Sequence, residues 1–580
     1  MTRREWLALA GAAPVYAANV GSGIDQFFED FMLEWVRADP EAATSLRMLS
    51  TDEQDRLDAK LTEISDAASH ARAAMAKDGL ARLRRFDRAK LTPEQQLSAE
   101  IFEYQMQAEV DQERFLPLEF PLNQFTGVQV RFPTLMTNIH PIRRQRDAEN
   151  YLARLEAFGP KLDEGLKMMQ DRAKQGIRLP GFISVETINQ MKRFTAPDPK
   201  QNILVTSFAG RLGAVPELDV AKRNAMAASA EKIVRESVYP AYRRAFDGLA
   251  TMNASASNDA GLWRLPHGPE FYEFNLRRFT TTAMTPEQIH QKGLDEVARI
   301  DGEMRALFEN IGYKQGSVEE RWAKLQKDTE YPDAPDVRDR VLADYAKIID
   351  ENERRSAEVF DLRPRAKCIV KRIPEFQEAN AAANYSAPPA DGSRPGIFNV
   401  PLRGPRFPRA GMRTLAAHEA IPGHHFQIAL KTEMTSLPSF RRFGFGGRFA
   451  AFTEGWGLYA ERLASESGWY KDDVPSDIGR LQGELFRARR LVVDTGLHAK
   501  RWTREQSIAY GIPQSEVDRY VVMPGQACAY KIGQMKLVEL RESAKKSPRF
   551  SLKEYHNVVL KTGGVPLTVL ERIVRREFGG

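Results

Sequence analysis

Apolar residues recur at three- and four-residue steps through much of the chain, the signature of amphipathic helices. Tyr151, Leu152, Leu155, Phe158, Leu162, Leu166 and Met169 form one such stripe, and Gly176 supplies a stop. A second stripe runs through Ile289, Leu294, Val297, Ile300, Met304, Leu307 and Ile311. Its start is well marked. Thr285 can cap, Pro286 suits the first helical position, and Gln288 completes a capping box, while Gly312 can end the helix. Both stripes read as core faces without chemistry of their own. Strand signals are few. Residues 382–385 and Gly396–Val400 flank a turn-rich stretch, which predicts a hairpin with a long loop. Residues 197–218 and 253–269 are poorer in pattern and read as loops, and a weak boundary falls near 270–285. There is no internal repeat.

Composition narrows the class. At 580 residues the chain can bury a large core, and 42% hydrophobic with 28% charged residues is ordinary for a globular protein. The net charge of +6 is spread thinly, with no lysine or arginine block, so nucleic acid binding is not indicated. Two cysteines, Cys368 and Cys528, make no disulfide framework and no metal knuckle. The first 18 residues read as an export signal. Arg3-Arg4 resembles a twin-arginine motif, a mildly apolar stretch follows, and Ala17 or Ala18 suits cleavage. The remainder holds no apolar run long enough to span a bilayer. A periplasmic or secreted protein is expected.

Three of the nine histidines fall in His418-Glu419-Ala420-Ile421-Pro422-Gly423-His424-His425. Imidazole is the commonest neutral metal ligand, and a neighbouring carboxylate can act as base toward water at the metal. Glu454 follows 29 residues after His425, in Thr453-Glu454-Gly455-Trp456-Gly457. Two histidines and a later glutamate are the ligands of a catalytic zinc hydrolase. The usual zinc helix spaces its histidines four apart. Here the step from His418 is six residues to His424 and seven to His425. Seven residues of regular helix rise about 10.5 Å, too far for one ion. Pro422 and Gly423 permit an irregular turn, and a local bulge could swing a later histidine back. His424 is the preferred second ligand and His425 the alternative. Glu419 is assigned as general base, and Glu461 could either orient a ligand histidine or be a solvated surface charge. Phe452, Trp456, Tyr459 and Leu463 fit a helical stripe interrupted by Gly455 and Gly457, which would allow close approach of a neighbouring helix.

These motifs resemble the bacterial family labelled domain of unknown function 885, within the gluzincin-like metallopeptidase group. The matching stretches are HEAIPGHH from His418, EGWGLYAE from Glu454, DTGLHAKRWT from Asp494, PGQACAYKIGQ from Pro524 and GGVPL from Gly563. The resemblance implies a mainly α-helical body with a deep cleft and a small antiparallel sheet beside the zinc-binding helix. The pattern is also distantly similar to angiotensin-converting enzyme and to the carboxypeptidase Taq family, in which a late tyrosine stabilises the oxyanion. Tyr530 best matches it, and a phenol can donate to developing negative charge. His498 is a candidate substrate or oxyanion contact, with His556 and Tyr520 as weaker candidates. Arg394 or Arg519 could bind a substrate carboxylate.

The expectation is therefore an extracytoplasmic zinc peptidase, with one zinc per chain, acting on short peptides. Residues 1–18 would be the export signal, 19–280 an N-terminal helical region and 281–580 the catalytic region. The same site could instead hydrolyse a non-peptide amide or ester, or persist in a silent binding protein.

Overall fold

A computed structural model describes residues 23–373, 378, 382–388, 395–445 and 449–579. The export signal and Arg394 lie outside them. Helices dominate, as the apolar periodicity predicts. Helix α1 (Ile24–Arg37) turns Phe27, Phe28, Phe31 and Trp35 inward. The stripe from Tyr151 to Met169 lies on α2 (Gln145–Lys174). Residues 197–218, expected to be loop, contain α3 (Ile203–Leu212), capped by the Asn202 side chain on Leu204 N. After α4 (Gly268–Thr280) comes α5 (Pro286–Asn310), with both hydrogen bonds of the Thr285–Gln288 capping box in place. Residues 270–285, read as a weak boundary, cover most of α4 and the short connection to α5. Helix α6 is Val337–Val359.

The sheet has three strands in the order β1-β3-β2. The hairpin expected from the sequence is β2 (Asn384–Ser386) against β3 (Gly396–Val400), antiparallel, with Asn384 opposite Asn399. The sheet as a whole is mixed rather than antiparallel. Strand β1 (Cys368–Arg372) joins the other edge of β3 in parallel, Cys368 opposite Gly396. Its pairing with a strand nearly thirty residues away leaves no local turn to read. Phe398 of β3 is fully buried and meets Tyr345 of α6 edge-on, at 5.2 Å between ring centres. This contact seats the sheet on α6.

The later helices include α7 (Met412–Glu419), α8 (His424–Glu433), α9 (Ala450–Glu466), α10 (Val474–Ala499), α11 (Gln514–Val522), α12 (Ala529–Ala544) and α13 (Leu552–Lys561). One apolar cluster joins the α1 aromatics to Phe440, Phe445, Trp456 and Phe398. A second packs α2 and α3 and takes in Val493 and Leu497 of α10. A third joins Ile300 and Met304 of α5 to Ile478 and Leu485 of α10. Leu491 belongs to the first cluster, so α10 reaches all three. Among the described residues no helix is long and apolar enough to cross a membrane.

Candidate metal centre

The eight-residue histidine segment is two helices, where the spacing predicts a bulge within one. Helix α7 ends at Glu419, and Ala420 leaves helical geometry with φ −105° and ψ −102°. The Ile421–Pro422 peptide bond is cis, and Gly423 has φ −82° and ψ −125° before α8 begins at His424. Pro422 has no amide hydrogen to return to the His418 carbonyl, so the first helix cannot continue. A Cβ on Gly423 would lie 2.0 Å from the His418 carbonyl oxygen, so only glycine passes there. Two carbonyls of the turn are held by side chains. Asn352 Nδ2 donates to Ile421 O at 2.8 Å, and Trp456 Nε1 donates to Pro422 O at 2.9 Å.

This turn folds His424 back over His418. Their ring centres are 4.6 Å apart and nearly perpendicular. Glu454, on α9, completes the group. Its Oε2 is 3.3 Å from His424 Nε2 and 3.7 Å from His418 Nε2. Donor atoms of His418, Glu419 and His424 lie within 4.8 Å of one another. Of the two carboxylates, Glu454 alone is within ion-pair distance of both rings among the described residues.

Glu461 Oε1, two turns along α9, accepts from His418 Nδ1 at 2.7 Å. That bond fixes the ring so that Nε2 faces inward. His424 has no such support, since its Nδ1 is buried without a hydrogen-bond partner among the described residues. Gly457 lies against the first ring, and a Cβ there would sit 2.6 Å from His418 Cε1. Gly455 serves helix packing instead. Its missing Cβ would lie 2.5 Å from Gly533 of α12.

Charge in this group is strongly coupled. Burial opposes the charged form of His418, but hydrogen bonds to Glu454 and Glu461 raise its pKa to about 10. Burial likewise opposes ionised Glu454, yet the two histidines hold it well below the usual carboxylate range. Burial pushes Glu419 up, against the attraction of His424, His418 and, more weakly, Arg487. A raised carboxyl pKa suits a group that must take up and give back a proton near neutrality.

The other predicted residues fall in different places. His425 points away. Its Nε2 donates to Ala366 O at 3.0 Å and its Nδ1 accepts from Tyr385 of β2 at 2.9 Å. Gly396 of β3 leaves room for this pair, since a Cβ there would meet His425 Nδ1 at 2.6 Å. His425 therefore docks the sheet on α8. His498, a candidate substrate or oxyanion contact, spends both ring nitrogens on the backbone. Nδ1 accepts from Leu262 N at 3.1 Å and Nε2 meets Tyr520 O at 3.1 Å. His556 is similarly held, between Tyr459 Oη and Val359 O, both at 2.8 Å. Tyr520 is buried and donates to Glu516 at 3.2 Å. Arg519 donates to Gln526 at 2.7 Å.

Tyr530 lies in the first turn of α12, with the Arg490 guanidinium 4.7 Å from its ring centre. Three residues on, Gly533 packs against Gly455, the neighbour of Glu454. The turn leading into α12 is fixed by buried Asp494 of α10, which accepts from Tyr272 Oη at 2.7 Å and Gly525 N at 3.0 Å. A cavity of about 430 Å³ borders this turn. Residues 521–524 line it with Asn275, Arg172 and Lys161, and none of the histidines does. Spacing alone gives no role to Arg487 or to the Trp456 indole. Trp456 sits inside the EGWG stretch, where its ring reads as core.

A mainly α body that brings two histidines and a glutamate together from three helices defines a protein with a candidate metal centre. The chain belongs to the family described as "Bacterial protein of unknown function (DUF885)", whose pattern matches residues 40–574. A structure from Colwellia psychrerythraea, described as a "putative lipoprotein", is 31% identical with a TM-score of 0.90, covering 96% of this chain and 98% of that one. Another, from Shewanella oneidensis, described as "a putative lipoprotein of unknown function", is 20% identical with a TM-score of 0.71, covering 95% and 100%. That second likeness is one of fold. No curated protein matches the chain.

Proposed function

We propose that the chain is a zinc-dependent peptidase that hydrolyses short peptides outside the cytoplasm. The observation that carries this reading is the convergence of His418 Nε2 and His424 Nε2 on one oxygen of Glu454, at 3.7 and 3.3 Å. Two imidazole nitrogens and one carboxylate are the donor set of catalytic zinc sites that keep a fourth position open. Tetrahedral donors around zinc, with bonds of about 2.0–2.1 Å, stand about 3.3 Å apart, close to both histidine–Glu454 separations. The fit supports zinc held by His418, His424 and Glu454. The lipoprotein description of the 31% identical structure supports the extracytoplasmic setting, as does the export-like start of the sequence.

When bound, zinc would supply Lewis-acid activation of water and of the scissile carbonyl. The chain's own groups do the rest. Glu419 takes the proton from the attacking water and passes it to the leaving amine. Glu461 holds His418 in the orientation that presents Nε2. Tyr530 donates its phenolic hydrogen to the oxyanion as charge develops. The test is Glu419→Gln in the zinc-loaded protein. Metal content is expected to persist while turnover of a peptide pool falls by about 100- to 10,000-fold. Unchanged turnover would remove Glu419 as the base.

A further inference from the structure

Helix α10 runs beside α7 in the same direction. A Cβ on Gly479 would lie 2.5 Å from Gly411 N, and one on Gly483 would lie 3.8 Å from Thr414 Cγ2. One more turn along, Arg487 stands level with His418 and Glu419. The same Gly483 position would be 3.2 Å from Arg487 Nη1 and 3.6 Å from Glu461 Oε2, the carboxylate that holds His418. Arg490 lies three residues further, on the same helical face. It carries that face past the end of α7 to Tyr530, whose ring centre is 4.7 Å from its guanidinium carbon. Arg489, between them, turns away and pairs with Glu319.

Both guanidinium groups lie against the ring of Phe486, at 5.7 Å for Arg487 and 4.6 Å for Arg490. Only one close anion pairs with them among the described residues, Glu516, 2.8 Å from Arg490 Nη2. Arg487 Nη1 is used on the Gly483 carbonyl at 3.1 Å. Arg487 Nε, Arg490 Nε and Arg490 Nη1 are buried without hydrogen-bond partners among the described residues. Arg490 is 5% exposed, so water does not satisfy it freely. Buried charge-bearing N–H groups left unpaired are costly, and two cations sharing one ring repel each other. An anion with two acceptor oxygens would relieve both penalties.

We propose that Arg487 and Arg490 form a carboxylate-binding pair that takes the free C-terminal carboxylate of the peptide, making the enzyme one that cuts near the C-terminal end. The inference rests on the peptidase reading above. Position supports it, since Arg487 lies close to Glu461, the carboxylate that holds His418, and Arg490 lies over the ring of the oxyanion donor Tyr530.

The test uses two pools of random hexapeptides, one with free C-termini and one amidated, given to the zinc-loaded protein and followed by mass spectrometry. The free-acid pool is expected to be consumed about 10- to 100-fold faster. Arg487→Gln should abolish that preference by slowing the free-acid pool alone. Arg487→Lys keeps the charge but not the planar fork and should restore part of it. Equal consumption of both pools by the parent protein, or an equal slowing of both by Arg487→Gln, would overturn the carboxylate pair and leave the peptidase reading standing. Consumption of neither pool would overturn both.

Discussion

His418 Nδ1 and Glu461 Oε1 are 2.7 Å apart, and both side chains are almost wholly buried. This bond ties the last turn of α7 to a glutamate three turns into α9. In the neutral, metal-binding form of the ring it selects the tautomer with Nε2 free, the nitrogen that faces Glu454. Glu461→Gln keeps the volume but removes the charge. Zinc affinity is expected to fall by about 10- to 100-fold, measured by chelator competition. Unchanged affinity would mean that His418 orients itself.

Gly457 sets the other wall of the same ring. A methyl group there would lie 2.6 Å from His418 Cε1 and 2.8 Å from Nε2. Gly457→Ala should displace the imidazole, lower metal affinity and cost about 1–3 kcal/mol of stability, read by chemical denaturation with and without chelator. A variant with parental metal affinity would show that the ring has room to yield.

Stability should fall with acid through three buried histidines that are not among the proposed metal ligands. Burial lowers His140 and His498 to about 4 and His556 to about 3. Each is neutral in the folded chain but titrates near 6.5 when unfolded, so the unfolded state binds more protons between those values. Their contribution is therefore full above about pH 6.5 and is lost as pH falls toward 4. Within that window each histidine that stays neutral in the fold removes up to about 1.4 kcal/mol per pH step of one. Urea midpoints at pH 7.5 and 5.0 would measure the drop, and equal midpoints would contradict it.

Much of this fold is legible in the sequence where the controlling interactions are local. The Thr285 capping box needs only residues three apart, and both its hydrogen bonds form. The β2–β3 hairpin is visible because a turn-rich stretch separates its strands. Strand β1 escapes because Cys368–Arg372 is short and pairs in parallel with a distant partner. Helix α3 escapes because its apolar positions, Leu204, Val205, Phe208 and Leu212, sit among small and β-branched residues that read as loop.

The site divides along the same line. Pro422 and Gly423 announce that the helix must fail after His418, but not that it ends outright and restarts at His424. The choice between His424 and His425 depends on the Ala366 carbonyl and Tyr385 hydroxyl, which no spacing reveals. His498 resembles a functional histidine within its motif, yet its partners are backbone groups brought together only by the fold. Gly455 and Gly457 look alike in the sequence, and one faces a helix while the other faces an imidazole.

The central claim is that His418, His424 and Glu454 hold a metal. Metal content of the purified chain, measured by mass spectrometry after zinc loading and desalting, tests it most directly beside His418→Ala, His424→Ala, His425→Ala and Glu454→Ala. The account predicts about one zinc per chain in the parent and in His425→Ala, with loss in the other three. No retained metal in the parent, or retention in Glu454→Ala and His424→Ala alike, would contradict it.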